Sequence, residues 1–518
     1  MNKVIIIILA VFFLLIAIPR IIFPDLEHGD EWADADVLNA SANFARFGFV
    51  KCHFLPYFEL QFGTLKGTPY THYPALAQIY HGALRIFFKT DSLRFFRGIA
   101  LFVSLLSIIF WYLFVKRLTG SYIISFLSAI FYLANPFFIF GADNLTQMSY
   151  ADFLRSLILF IFTACAYSSK EKRTGLLVFI WFLFFIQSLI TFEYIIYMSL
   201  FFILFRYFFK TQDKTISFWV LIILFSAPVA AFLLHYLQNI WYFGSSSLTM
   251  QDFKTIAADR IFRSKDAPMQ DYNFGVWWNY VIARNFSLTF IFNYFLLFLS
   301  VFFAYLFYQP LASQDKREIK ILLRLFLLMI ICGVSWYIVF PAHSFAHAFV
   351  HFLVRHIVPV AAVGFGLFFY ILFCFIKENA KHKLIWRIFW AFSIIFGLFT
   401  GITKSELPVT KDNIKRAEDF IIFKKCLLKL RDMSGEKDLV GVNYYRRPFI
   451  NYYTNRNSLP IFDKSSLEGL ASSPRFFIFL PRDEQGAMEL FQFLNQKYNL
   501  LFKCESSRFP GIFFELKK

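Results

Sequence analysis

Residues 25–36, DLEHGDEWADAD, carry six acids in twelve positions of a chain whose formal net charge is +18. Asp30 and Asp34 lie four residues apart, so they share one face if the chain is helical after Gly29. A carboxylate there can accept a proton from an attacking hydroxyl or amine, or hold a divalent cation against a phosphate. The alternative is a hydrated acidic run that only keeps the segment soluble. We take Asp30, Glu31 and Asp34 as candidate catalytic acids.

A second polar pattern lies in PAHSFAHAFVHFLVRH and repeats every four residues along one helix face: His343, His347, His351 and Arg355. We favour a clamp for phosphate and hydroxyl groups that includes His347 and His351, with Arg355 as the anchor for the lipid phosphate. Two alternatives stay open. Histidines at i and i+4 can share a zinc ion, although HSFAH has no internal Glu and no clear third ligand. An interfacial helix with its polar face outward would show the same spacing.

The loop 238–287 mixes basic and aromatic side chains, a composition typical of helices that lie on a lipid interface. Its basic and aromatic members are Lys254, Arg260, Arg263, Lys265, Arg284, Trp241, Tyr242, Trp277 and Trp278. Arg260 and Arg284 are weak candidates for contact with a phosphorylated lipid. Simple interfacial anchoring accounts for the aromatic residues equally well.

The composition predicts a membrane protein, because 58% hydrophobic and 22% aromatic residues exceed what a water-soluble core of 518 residues can hide. The mean hydropathy is +0.55. Six Cys residues lack C-x-x-C spacing, so no zinc or iron-sulfur site is indicated. No cofactor is required, and a divalent cation stays open, at the acids or, as zinc, at the histidines. Much of the positive charge falls in short loops between apolar spans, so no nucleic-acid partner is needed.

Eleven windows are apolar over the roughly 20 residues that a helix needs to cross a bilayer. They fall near 4–23, 95–115, 121–141, 150–168, 175–191, 194–209, 216–237, 288–308, 321–340, 357–376 and 384–401. The first lacks a small-residue cleavage site, which indicates a retained anchor. Lys and Arg collect in alternate loops, such as 170–173 and 377–387, so we expect those loops and the N-terminus to be cytoplasmic. The loops 24–94 and 238–287 and the tail after 401 would then face outward.

The tail changes character, since residues 411–432 have an amphipathic helical period and DLVGV, RFFIFL, NLLFKCE and GIFFEL are typical of short strands. We predict a soluble periplasmic α/β domain at 402–518, after a membrane domain at 1–401 that includes both outer loops. YYRRPFINYYTNR suits stacking on sugars or holding phosphate, or it is a solvated helix against the membrane domain. Cys426 and Cys504 would pair in an extracytoplasmic domain; two unrelated thiols are as consistent.

Several motifs occur in a telling order along residues 1–401. The acidic first loop is followed by His72-Tyr73-Pro74-Ala75-Leu76, then by DSLRFFRGIALF, ANPFFIFGADNLTQMSYADF and LVRHIVPVAAVGF. This order resembles the GT-C glycosyltransferases, in particular the dolichyl-phosphate-mannose protein mannosyltransferases and the bacterial lipid A aminoarabinose transferases. The resemblance implies an all-α polytopic GT-C-like domain of about 11 transmembrane helices, a number that agrees with the apolar windows.

The resemblance also implies an activity. Such enzymes transfer a sugar from a polyprenyl phosphate, such as undecaprenyl phosphate, to an acceptor on the outer face. Here the acceptor would be an envelope lipid such as lipid A, a glycan or a protein. A first-loop acid would be the general base, Asp30 slightly ahead of Asp34, and a cationic side chain such as Arg355 would stabilise the leaving phosphate. His72 and Tyr73 match the family element expected near the donor.

One family position departs from the pattern. Where a second-loop acid is expected near LTQM, this chain has Gln147, so Asp143 or Asp152 would replace it as a substrate-binding acid. Asp152 would alternatively pair with Arg155 one turn deeper, because charges within a membrane usually find partners.

Two other functions fit the same topology. A transporter or flippase of a lipid-linked precursor would need no glycosidic chemistry, although its outer loops are usually short. A ligase would move a whole glycan from a diphosphate carrier. The absence of retention signals favours the bacterial inner membrane as the location.

Overall fold

The computed structural model describes residues 1–25, 31–62, 67–209, 218–257, 313–340, 353–378, 407–443, 447–470, 474–481 and 485–516, with a few isolated positions. Its first helices are α1 (Asn2–Ile22), α2 (Glu31–Phe47), α3 (Leu76–Phe88), α4 (Leu93–Thr119), α5 (Tyr122–Leu133), α6 (Pro136–Phe140), α7 (Met148–Ala166), α8 (Lys170–Ile190), α9 (Glu193–Phe208), α10 (Phe218–Phe243) and α11 (Ser246–Ala257). Later helices are α12 (Ser313–Val339), α13 (Val358–Glu378), α14 (Lys411–Met433), α15 (Arg447–Thr454), α16 (Lys464–Glu468) and α17 (Gln485–Lys497), and a 3-10 turn spans Leu353–His356.

The chain forms two compact units. The membrane unit comprises residues 1–18, 72–74 and 98–407, and the C-terminal unit comprises residues 19–71, 75–97 and 408–518. Most of the first long loop therefore belongs to the same unit as the tail. The division predicted between residues 401 and 402 stays a prediction.

The apolar helices confirm a polytopic all-α membrane region. Within the described residues, five helices are long and apolar enough to cross a membrane: Asn2–Ile22, Leu93–Thr119, Met148–Ala166, Lys172–Ile190 and Ser313–Val339. Two shorter apolar helices are Tyr122–Leu133 and Val358–Cys374. Helices lie at nine of the eleven predicted windows; 288–308 falls outside the described residues and 384–401 almost wholly so.

The window predicted at 121–141 is two helices instead of one. Pro136 has no N–H to donate and cannot continue a helix without a clash, but it suits the first position of a new one. Asn135 caps that new helix, α6, by accepting a hydrogen bond of 3.0 Å from the backbone N–H of Phe137. The helix is therefore interrupted at Ala134 and Asn135.

Helices α5 and α13 pack tightly against each other. Phe131 stacks on Phe365 and Phe369 with ring centroids 4.8 and 4.9 Å apart. A Cβ on Gly366 would lie 3.3 Å from the Cβ of Ser128, so the small residue permits this close approach. The abundant Phe residues thus fill helix contacts, as their apolar, well-packing rings predict.

The C-terminal unit contains a five-stranded sheet, which confirms the predicted α/β region. Its strands are β1 (Val440–Val442), β2 (Ser458–Pro460), β3 (Phe476–Phe479), β4 (Asn499–Cys504) and β5 (Gly511–Glu515), in the order β2-β1-β3-β5-β4. β1 pairs parallel with β2 and β3, while β5 pairs antiparallel with β3 and β4. All four predicted strands and the helix at 411–432 are present, and α15 is the helix that was one of two alternatives for YYRRPFINYYTNR; β2, α16 and α17 were not predicted.

Candidate functional site

Helix α2 carries Glu31 and Asp34, two of the three candidate catalytic acids. The chain is helical from Glu31, as predicted, while Asp30 lies outside the described residues and the Glu31 side chain is not described. The Asp34 side chain is 1% exposed, and its Oδ2 lies 3.4 Å from Nη1 of Arg97, which is equally buried. Asp34 is therefore an ion-paired buried acid, not a solvated one.

Arg97 also binds the chain that precedes the acids. Its Nε donates to the carbonyl oxygen of Pro24 at 2.6 Å, and its Nη2 donates to that of Asp25 at 3.3 Å. One guanidinium thus contacts Pro24, Asp25 and Asp34, and we name these four residues the Arg97 clamp. The planar fork of arginine donors suits such a multiple contact, which a lysine ammonium would not reproduce.

Asp25 is held from the C-terminal residues as well. Lys424 Nζ on α14 lies 2.6 Å from Asp25 Oδ1, and the Tyr453 hydroxyl on α15 donates to the same oxygen at 3.1 Å. Asn39 on α2 donates to the carbonyl oxygen of Pro448 at 3.2 Å. Helix α14 therefore contacts Asp25, and helix α15 contacts both Asp25 and Asn39.

The far end of α2 is fixed by loop 57–61. Asn43 donates to the carbonyl oxygens of Tyr57 and Glu59 at 2.8 and 2.7 Å, and its own Oδ1 accepts from the Gln61 N–H at 2.9 Å. A buried amide with both ends bonded orients a helix strongly because each unmade bond would leave a desolvated polar group. The position of α2 is thus specified along its whole length.

The membrane unit contains a fully buried ionic group, which we name the Asp152 cluster: Asp152, Arg155, Tyr194 and Arg355. Asp152 Oδ1 accepts from Arg155 Nη2 at 2.9 Å and from the Tyr194 hydroxyl at 2.7 Å. Its Oδ2 accepts from Arg355 Nε at 2.7 Å and also from Arg355 Nη2. The predicted pairing of Asp152 with Arg155 is confirmed, and Arg355 is bound to the same carboxylate.

The surroundings of this cluster leave its arginines little room. Arg155 also donates to the Arg355 carbonyl oxygen at 3.2 Å and to the Tyr132 hydroxyl at 2.6 Å. A Cβ on Gly141 would lie 2.0 Å from Arg355 Nη1, so only glycine fits there. Two arginines and one aspartate leave a net positive charge, which burial makes costly without full pairing.

A second group of polar residues meets at the start of α9, and we name it the Glu193 cluster: Tyr73, Gln147, Thr191 and Glu193. The Tyr73 hydroxyl donates to Glu193 Oε1 at 2.7 Å, and Gln147 Nε2 donates to Oε2 at 3.3 Å. The Thr191 hydroxyl donates to the same Oε2. Tyr73 and Gln147, which the family pattern singled out, are therefore brought together on one buried carboxylate.

The remaining predicted residues are distributed as follows. His72 is exposed, and Asp143 is buried in the turn between α6 and α7. His343, His347, His351, Arg260 and Arg284 lie outside the described residues, so the four-residue polar stripe stays a prediction. In the described part of the chain, no group of three or more His, Cys, Asp or Glu is placed to hold a metal ion.

Sequence reasoning missed several residues of these clusters, Arg97 above all. An arginine among the phenylalanines at the start of an apolar span is a usable cue, because a charge there usually has a partner. Lys424 and Tyr453 gave no such signal. Their partner Asp25 lies about four hundred positions earlier in the chain, at sequence separations of 399 and 428.

With the fold and these clusters defined, the chain can be placed among known structures. Its fold is the GT-C fold of polytopic membrane glycosyltransferases. The Archaeoglobus fulgidus oligosaccharyltransferase in the apo form is similar with a TM-score of 0.55 and 12% identity, over 92% of this chain and 69% of that chain. ArnT from Cupriavidus metallidurans, in the apo state and bound to undecaprenyl phosphate, is similar with a TM-score of 0.55 and 11% identity, over 98% of this chain and 97% of that chain. No protein-family model and no curated protein matches the sequence.

Proposed function

We propose that the chain is an integral membrane glycosyltransferase that moves a sugar from a polyprenyl-phosphate donor to an envelope lipid, glycan or protein. One observation carries the proposal. The chain shares its fold, over 98% of its length, with ArnT, whose structure was solved with undecaprenyl phosphate bound. Apolar helices can hold a prenyl chain at bilayer depth while polar loop residues meet the phosphate and sugar.

In this proposal a first-loop acid is the general base. Asp30 or Glu31 deprotonates the acceptor, and Asp34 stays paired with Arg97. Proton removal by a positioned carboxylate contributes roughly 10²–10⁴-fold to such a step. His72 and Tyr73 lie toward the donor, with Tyr73 oriented by Glu193. Arg155 and Arg355 share the single Asp152 carboxylate, so the net positive charge of this cluster favours the departing phosphate, and a divalent cation is a further proposed aid.

We place the reaction on the outer face of a bacterial inner membrane. The disulfide between Cys426 on α14 and Cys504 on β4 supports this, because disulfides persist in oxidising compartments such as the periplasm. The basic loops, which alternate along the sequence with the outward-facing segments, would then be cytoplasmic, as the positive-inside rule requires.

The experiment has two stages. Mass spectrometry of envelope lipids, glycans and proteins from cells with and without the chain identifies the modified acceptor. The purified chain in liposomes is then given undecaprenyl-phosphate-linked sugars and that acceptor. We expect Asp30→Asn to lower transfer at least a hundredfold, with Asp412→Asn, an exposed acid far from α2 in sequence, as the control. Full activity of the Asp30→Asn, Glu31→Gln, Asp34→Asn triple variant would remove the proposed base, and lipid movement without a new glycosidic product would favour a flippase.

A further inference from the structure

The residues around Asp25 and Asp34 suggest a task for the C-terminal α/β region, whose role the fold alone does not define. We propose that this region and Arg97 together form a positioning device for the first-loop acids. The inference rests on the proposed function for its catalytic consequence, and on described contacts within the C-terminal unit for its geometry. It assigns positioning roles to Arg97, Lys424 and Tyr453.

Arg97 is the centre of the device because it reaches both sides of the acid pair in the sequence. Pro24 and Asp25 precede Asp30 and Glu31, and Asp34 follows them. All three contacts use one side chain that is 1% exposed, with donor–acceptor distances of 2.6, 3.3 and 3.4 Å. Since a buried guanidinium must satisfy its donors, moving either side of the segment costs hydrogen bonds on the other.

The C-terminal contribution converges on the Asp25 carboxylate. Its Oδ1 receives both the Lys424 ammonium at 2.6 Å and the Tyr453 hydroxyl at 3.1 Å. Asp25 is nearly buried, with 9% of its side chain exposed, whereas Lys424 is 31% exposed and can be replaced with less damage. The main chain of Asp25 is held by Arg97 and its side chain by α14 and α15, so the residue is fixed from two directions.

Lys424 and Tyr453 are held in place by a disulfide and by helix packing. Lys424 lies two residues before Cys426, which is disulfide-bonded to Cys504 on β4, so this part of α14 cannot drift from the sheet. Tyr453 lies on α15, which packs against α2. Just beyond the end of α15, the Asn457 side chain donates a hydrogen bond of 2.8 Å to the Leu60 carbonyl oxygen. A reacting group held by such fixed neighbours keeps its geometry between turnovers, and a misplacement of about 1 Å can cost roughly a hundredfold in rate.

Four variants test the proposal: Arg97→Gln, Lys424→Met and Tyr453→Phe in the device, and Arg94→Gln as the matched control, since Arg94 is an exposed arginine one turn earlier. The first readout is amide hydrogen exchange over residues 31–38 in the full chain in detergent micelles. We expect Arg97→Gln to speed exchange there by about tenfold or more, since it removes contacts that hold this segment closed. Lys424→Met should give a smaller increase over the same residues, and Arg94→Gln none.

The second readout is transfer kinetics. A positioning role predicts that Arg97→Gln lowers kcat about a hundredfold while KM for the polyprenyl-phosphate sugar stays within twofold, because the donor contacts are untouched. Arg97→Lys should recover only part of kcat, since an ammonium cannot replace the fork. A purely structural role would lower the active fraction and leave kcat per folded molecule unchanged.

The two readouts separate the possible failures. Wild-type exchange over residues 31–38 in Arg97→Gln, Lys424→Met and Tyr453→Phe would overturn the positioning device, whatever the transferase assay gives. Faster exchange in these variants, together with no transferase activity in the unmodified chain, would overturn the proposed function but support the positioning device. If Arg97→Gln does not fold, Lys424→Met and Tyr453→Phe decide the matter by the same exchange measurement.

Discussion

At Asp152 a single carboxylate serves two guanidinium groups, and all three side chains are fully buried. Membrane interiors tolerate such charges only when they are paired, so the aspartate is the neutralising partner for a net positive site. The sequence predicted half of this arrangement, because Arg155 is one turn away. Arg355 is 203 positions distant, and no local pattern joins it to Asp152.

The first prediction concerns that carboxylate. Asp152→Asn leaves two buried arginines without their counter-charge, and we expect a loss of about 3–5 kcal/mol in the free energy of unfolding. Thermal unfolding of the purified chain in detergent measures it. Asp412→Asn is the control, because Asp412 is 87% exposed and its pair with Arg508 is worth about 1 kcal/mol or less. Equal melting temperatures for the two variants would contradict the importance of the cluster.

A second prediction concerns the glycine beside Arg355. In Gly141→Ala the new methyl group would overlap Arg355 Nη1 and lie 2.6 Å from Met148 Sδ, so the guanidinium must shift from Asp152. We expect the free energy of unfolding to fall by about 1–3 kcal/mol, the usual cost of overpacking. Gly175→Ala, where a Cβ meets no atom within 4 Å, should be neutral or slightly stabilising. The same unfolding assay compares them, and an unchanged Gly141→Ala variant would refute the close packing.

Among the elements, α14 and β4 are the pair joined covalently. The amphipathic helix and the strands of the tail were predictable from periodicity, and the Cys426–Cys504 pairing was one of two alternatives that the sequence left open. A helix at α15 was one of two alternatives, because its RPFINYYT sequence combines aromatic and basic residues that suit a ligand surface equally well. In the structure its buried tyrosine instead bonds Asp25, a tertiary contact that overrides the local signal.

The third prediction tests the covalent link. Cys426→Ser with Cys504→Ser removes a bond that closes a separation of 78 residues, and we expect the free energy of unfolding to fall by about 2–5 kcal/mol. The melting temperatures of the parent chain and the double variant measure the effect. Reductant should lower the melting temperature of the parent chain as the double substitution does. If the double variant melts at the same temperature as the parent, and reductant does not change the melting temperature of the parent, the disulfide is contradicted.

For the whole molecule, the spans were the most predictable feature and the polar clusters the least. Apolar windows fix helices because every backbone polar group must bond within its own helix in lipid. The break at Asn135 and Pro136 could have been read from the proline, but its neighbours Gly141 and Arg355 meet only through tertiary packing. The acid that takes the proton could not be predicted from spacing, since Asp30 and Asp34, four residues apart, would share one helix face.

The fourth prediction tests sidedness. Val50 is 62% exposed in the first loop, so Val50→Cys should react with a membrane-impermeant maleimide applied to spheroplasts. The nearby Cys52 should not react at pH 7.5, because burial raises the pKa of its thiol to about 11 and leaves almost no thiolate. Labelling of Val50→Cys only after the membrane is permeabilised would place this loop inside the cell and end the outer-face proposal.

The order of strands in the sheet sets a condition on biosynthesis. β5 follows β4 in the chain, yet it lies between β3 and β4 and contributes the buried Phe513 and Phe514. Until residues 511–515 have left the ribosome, β3 and β4 have no common partner, and β4 cannot settle. A chain that stops before residue 511 therefore leaves β4 and one edge of β3 without a strand to pair with.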